Sequence, residues 1–87
     1  MVTVKVLGTG CANCKKLEGL VRKAISEMGF EAEVIKVTDY NEIMQYPILS
    51  TPGLVINGKL VSSGRIPSQA EITTWLADAA MEQEQAA

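Results

Sequence analysis

The sequence holds two cysteines, Cys11 and Cys14, separated by Ala12 and Asn13. Residues at i and i+3 lie on one side of a helical turn, close enough for a disulfide with little strain. Such a pair can pass between dithiol and disulfide through a mixed disulfide with a second molecule. Its placement adds reactivity. The residues after Cys11 read as the start of a helix, whose N-terminus offers unpaired backbone N–H groups and a partial positive charge. The first turn, with Ala12 and Asn13 in it, therefore favours thiolate over thiol, and Lys15 and Lys16 add positive charge nearby. The lysines contribute less, because exposed charges are screened. Cys11 stands at the helix edge, where exposure is expected. Cys14 precedes Leu17 by three residues on the apolar stripe and should be more buried. Cys11 is thus the expected nucleophile and Cys14 the resolving thiol.

Composition removes most other chemistry. There is no histidine among the 87 residues, so Ser–His–Asp and Cys–His catalysis are both absent. Two cysteines without histidine fall short of a four-ligand protein zinc site. One disulfide at most rules out a secreted multi-disulfide scaffold. The formal net charge of −2 argues against nucleic acid, which demands a basic face. No run approaches the roughly 20 apolar residues of a membrane span. The N-terminal segment alternates around Lys5 and lacks the continuous apolar stretch of a signal peptide, so a cytoplasmic location is expected. With 47% hydrophobic and 21% charged residues, the chain has the composition of a folded domain and not of a disordered one.

The elements that position the cysteines follow from periodicity. Val2, Val4 and Val6 alternate with Thr3, Lys5 and Leu7 in a strand over residues 2–7, which Gly8-Thr9-Gly10 breaks. Leu17, Leu20, Val21, Ala24, Ile25 and Met28 form one stripe of a helix over 12–28, with Gly29 as its C-terminal stop. A mostly apolar second strand spans 31–37. A whole helix between two strands forces a parallel, right-handed βαβ unit. Asp39 caps a short helix over 40–46, ended by Pro47. Its Tyr40, Met44 and Tyr46 are read as half-buried packing. Strands at 53–56 and 59–62 flank Asn57-Gly58, a strong two-residue hairpin signal. Ser68 and Glu71 form a capping box for a last helix from about 69 to 83, with Ile72, Trp75, Leu76, Ala79 and Ala80 as its buried stripe. Lys5 and Lys36 are read as snorkelling at strand edges or ends. Residues 1–81 form one domain and 82–87 a frayed tail. The order β-α-β-α-β-β-α requires an α/β domain with a mixed four-stranded sheet flanked by helices.

Thr51-Pro52 directly precedes the third strand. With Cys11-Ala12-Asn13-Cys14 after strand one, the Asn57-Gly58 hairpin and Gly64 before the last helix, it makes the chain resemble the thioredoxin/glutaredoxin superfamily. Gly8 to Cys14 and Thr51 to Gly58 resemble most closely the small thioredoxin-like redox-active disulfide proteins of archaea and bacteria. The resemblance covers about residues 2–80. It implies a thioredoxin-like fold, Cys11 as nucleophile, Cys14 as resolving thiol, and Pro52 as a cis-proline against the disulfide. Thr51 would then offer backbone hydrogen bonds to an extended substrate segment. Two features differ from the better-known branches. Gly10 stands where thioredoxin itself has a tryptophan, and Ala12-Asn13 replaces the Gly-Pro of thioredoxin and the Pro-Tyr of glutaredoxins.

The expected activity is thiol–disulfide exchange by a monomer with no bound cofactor. Its partners would be protein disulfides and an upstream thioredoxin-reductase-like reductant, in the service of cell redox homeostasis. Two alternatives stand beside it. Gly8 to Cys14 also resembles the Gly-Met-Thr-Cys-x-x-Cys loop of heavy-metal-associated Cu(I) carriers, whose soft thiolates suit that ion. Those carriers run βαββαβ. The other alternative is a thioredoxin-fold interaction module in which the cysteines are inert.

Overall fold

The computed structural model describes residues 2–10 and 12–86, with residues 83–86 described by their backbone alone. The elements are β1 (Val2–Leu7), α1 (Ala12–Met28), β2 (Ala32–Val37), α2 (Tyr40–Ile43), β3 (Gly53–Ile56), β4 (Lys59–Ser63) and α3 (Gln69–Ala86). They form one four-stranded sheet in the order β2-β1-β3-β4. β1 runs parallel to β2 and antiparallel to β3, and β3 pairs antiparallel with β4. The mixed sheet expected from the element order is therefore present. The sheet does not have the βαββαβ order of the copper carriers, because a helix separates β2 from β3 and α3 follows the hairpin.

The alternation of β1 sorts its side chains into two cores. Val2, Val4 and Val6 meet Leu17, Val21 and Ala24 of α1 and Ile72, Leu76 and Ala79 of α3 on one face. Leu7 on the opposite face joins Val37, Val55 and Ile43 of α2. Leu17, Leu54, Ile72 and Leu76 are fully buried, each contributing about 1.5–3 kcal/mol of transfer free energy. Trp75 packs against the larger core while remaining half-buried.

Local chemistry accounts for the element ends. The Asp39 carboxylate accepts from the Asn41 N–H at 2.9 Å and caps α2. Asn57 and Gly58 take φ of 50° and 82° in the hairpin turn. The Asn57 side chain also accepts from the Thr3 N–H at 2.9 Å, which ties the turn to β1. The capping box closes in both directions. The Glu71 N–H donates to Ser68 Oγ at 3.2 Å, and the Ser68 N–H donates to Glu71 Oε1 at 3.2 Å. A bulge leaves Val61 between the pairs Val55–Leu60 and Leu54–Ser62, sending Leu60 to the smaller core and Val61 to the larger.

Three expectations are corrected. α2 is a single turn ending at Ile43, not a helix to residue 46, so only Ile43 of that turn reaches the sheet. Tyr40 and Met44 are consequently exposed instead of half-buried, while Tyr46 folds back against the smaller core. Lys5 is on a central strand, not at an edge, flanked in register by Ile35 and Val55. Its ammonium donates to the Tyr46 hydroxyl at 3.3 Å. Lys36 does lie on edge strand β2 and pairs with Glu18 at 3.4 Å. Finally, α3 continues to Ala86, three residues past the end expected near residue 83. Glu, Gln and Ala in that stretch are all good helix formers. No helix of the described residues is long and apolar enough to cross a membrane.

Candidate redox site

The site lies where β1 ends and α1 begins. The Gly8 N–H donates to the Val37 carbonyl at 3.0 Å, so parallel pairing with β2 carries through to the last residue before the loop. Gly10 takes φ of +87°, a left-handed conformation that glycine adopts at little cost. A tryptophan in that position would be strained there. Cys11 lies outside the described residues, and its expected role as nucleophile is taken up below as a proposal. Ala12 and Asn13 are exposed in the first turn of α1, and so is Lys15 in the next position but one. No acidic residue occupies that first turn, so nothing there offsets the positive end of the helix.

Cys14 is 6% exposed. Its sulfur packs on Gly8 so closely that a Cβ at residue 8 would fall on Sγ. The same point lies 3.9 Å from the Cβ of Thr51. Gly8 is thus the meeting place of the β1–α1 loop and the loop before β3. In that second loop the Thr51–Pro52 peptide is cis, Thr51 is exposed and Pro52 is buried. The Pro52 carbonyl accepts from the Gly64 N–H at 2.9 Å, which fixes the loop to the exit of β4.

Beyond Thr51 the surface falls into a groove of about 340 Å³. Thr9, Ser50 and Thr51 lie along it, with Tyr40, Met44 and Leu49 also in its lining. Leu49 had no sequence signal to mark it, since it lies in a loop with no periodicity.

The thioredoxin domain family matches residues 2–77 of this chain. The chain belongs to the thioredoxin domain family. Over 72 residues, or 83% of its length, this thioredoxin-domain chain is 43% identical to a thioredoxin of Methanocaldococcus jannaschii, covering 83% of that protein. It is 39% identical to a thioredoxin of Methanothermobacter thermautotrophicus over 72 residues, which is 83% of this chain and 94% of that one. Among solved structures, the germline-specific thioredoxin Deadhead of Drosophila melanogaster superposes with a TM-score of 0.63 at 20% identity. That match covers 88% of this chain and 79% of the other. It bears on the fold alone, and the fold is that of the thioredoxins.

Proposed function

We propose that this thioredoxin-domain chain is a cytoplasmic thiol–disulfide oxidoreductase that reduces disulfides in protein partners and supports cell redox homeostasis as a monomer. The Cys11 thiolate attacks one sulfur of a partner disulfide and releases the other as a thiolate, forming a mixed disulfide. Cys14, as thiolate, then attacks the Cys11 sulfur. The partner leaves with both thiols, reduced by two electrons, and Cys11–Cys14 is left as the disulfide. An upstream dithiol reductant of the thioredoxin-reductase type returns the pair to the dithiol. No bound cofactor takes part. Ala12, Asn13 and Lys15 favour the thiolate through first-turn N–H groups and positive charge. Thr51 and Pro52 receive an extended segment of the partner.

The observation that carries this reading is the burial of Cys14 against Gly8 and beside Thr51, three residues after Cys11. A resolving thiol must be held close by and kept from competing for substrate. The test is reduction of a model protein disulfide with a supplied dithiol, run beside the Cys14→Ser variant in cell extract. The expected outcome is turnover by the wild type and accumulation of mixed disulfides on Cys11 in the variant. No turnover and no trapped partner would leave an interaction module with inert cysteines.

A further inference from the structure

Lys5 stands on central strand β1 with apolar neighbours on either side, Ile35 of β2 and Val55 of β3. It is half-buried. A cation drawn out of water onto an apolar sheet face is ordinarily met by a carboxylate. The lysine of the neighbouring strand follows that rule, since Lys36 meets Glu18 at 3.4 Å. Lys5 does not. Among the described residues it forms no ion pair, and the one hydrogen bond of its ammonium goes to the neutral hydroxyl of Tyr46 at 3.3 Å. Glu33 shares its sheet face, in register with Thr3, and still leaves it unpaired.

Lys5 lines a cavity of about 210 Å³ together with Val37, Glu42, Gln45 and Tyr46. The cavity lies on the smaller-core side of the sheet and shares no lining residue with the groove beside Thr51. Because Tyr46 Oη accepts from Lys5, its own O–H remains free to donate, as do two of the three N–H groups of the ammonium. The carboxamide of exposed Gln45 adds further N–H donors at the rim. Three donor side chains thus line one small space. Lys5 supplies positive charge and Tyr46 a directed hydrogen bond beside it, a pairing that the two oxygens of a carboxylate accept. Glu42 is the one acid in the lining, and it is exposed. Its charge repels further negative charge, so a monoanion fits better than a dianion.

We propose that this cavity binds a small monocarboxylate, one oxygen accepting from the Lys5 ammonium and the other from the Tyr46 hydroxyl. The apolar end of such an acid lies against Val37, the buried aliphatic residue of the lining. The site is separate from the redox pair and does not depend on the activity proposed above.

The test titrates the isotope-labelled full chain at fixed ionic strength with sodium acetate, inorganic phosphate or ethylammonium chloride, and follows the amide resonances. Acetate should shift Lys5, Val37, Gln45 and Tyr46 together and saturate in the millimolar range. Phosphate should bind several-fold more weakly, and ethylammonium should shift none of the four. Tyr46→Phe should weaken acetate roughly tenfold, the loss of one hydrogen bond to a charged group. That variant keeps its ring in the smaller core. Lys5→Met retains an unbranched apolar stem on the strand and should abolish saturation. Acetate shifts that stay linear, phosphate binding as tight as acetate, or acetate affinity unchanged in Tyr46→Phe would each overturn the proposal. So would saturation that survives Lys5→Met. Should Lys5→Met fail to fold, Tyr46→Phe decides alone.

Discussion

The sulfur of Cys14 rests on the backbone of Gly8, leaving no room for a methyl group at residue 8. The contact joins the residue after β1 to the first turn of α1, so the seat of the buried thiol is made by backbone and not by a side chain. Gly8→Ala should force Cys14 or the loop to shift and cost about 1–3 kcal/mol, as overpacking does. Denaturant unfolding of wild type, Gly8→Ala, Cys14→Ala and the double variant measures it. The Cys14 Cβ would lie 3.4 Å from the new methyl, an ordinary contact. The double variant should therefore recover much of the loss, and additive losses would refute the contact.

Burial of Cys14 also predicts how the reduced protein meets an alkylating reagent. At 6% exposure Cys14 should label slowly in the native state, after Cys11, and accelerate as denaturant opens the domain. Peptide mass spectrometry of a short iodoacetamide time course reads both sites. Labelling of Cys14 ahead of Cys11 would reverse the proposed roles.

Acid should weaken the start of α3 in a defined window. The Arg65 guanidinium donates to both Glu71 oxygens, at 2.7 and 3.2 Å, and the Ser68 N–H adds a third bond. Arg65 first, and Ser68 second, pull the Glu71 carboxyl down from 4.5 to about 2. Between those values the unfolded chain binds more protons than the folded one. The stabilisation is thus complete above about pH 4.5 and fades as pH falls toward about 2. The stability gap between wild type and Glu71→Gln, followed by denaturant unfolding across pH, should be flat near neutrality and close over that window. Salt should shrink it, because the pair is exposed. A gap that persists unchanged to pH 2 would contradict the assignment.

Gly19 offers a stabilising substitution. It lies exposed in the middle of α1 with open space where a Cβ would go. Gly19→Ala should raise stability by about 0.5–1 kcal/mol through reduced unfolded-state freedom. Thermal melts would show the gain as a higher Tm, and a lower Tm would indicate a contact at that surface.

Much of this was legible because the signals are local. The alternation of Val2, Val4 and Val6, the stripe from Leu17 to Met28, the Asn57-Gly58 turn and the Ser68–Glu71 box each specify an element from its own residues. The parallel pairing of β1 with β2 followed from one fact, that a helix connects them. What escaped depends on contacts between distant segments. The Lys5–Tyr46 hydrogen bond spans 41 positions, and no pattern in either segment announces it. The closeness of Gly8 to Cys14 and Thr51 needs three chain segments at once. Tyr40 and Met44 misled because their spacing of four suits a longer helix, and the length of α2 was set by how little of it reaches the sheet. Of the site, the residue types and spacing were readable; the groove next to them was not.

β1 and β3 meet at the centre of the sheet, with β2 outside the first and β4 outside the second, so their pairing is the seam between the two halves of the molecule. Cys14 belongs to the half before that seam and Thr51 to the half after it. Neither half holds a complete site. Assembly of the domain and assembly of its chemistry are one event: a chain opened between β1 and β3 keeps its cysteines but loses the loop beside them.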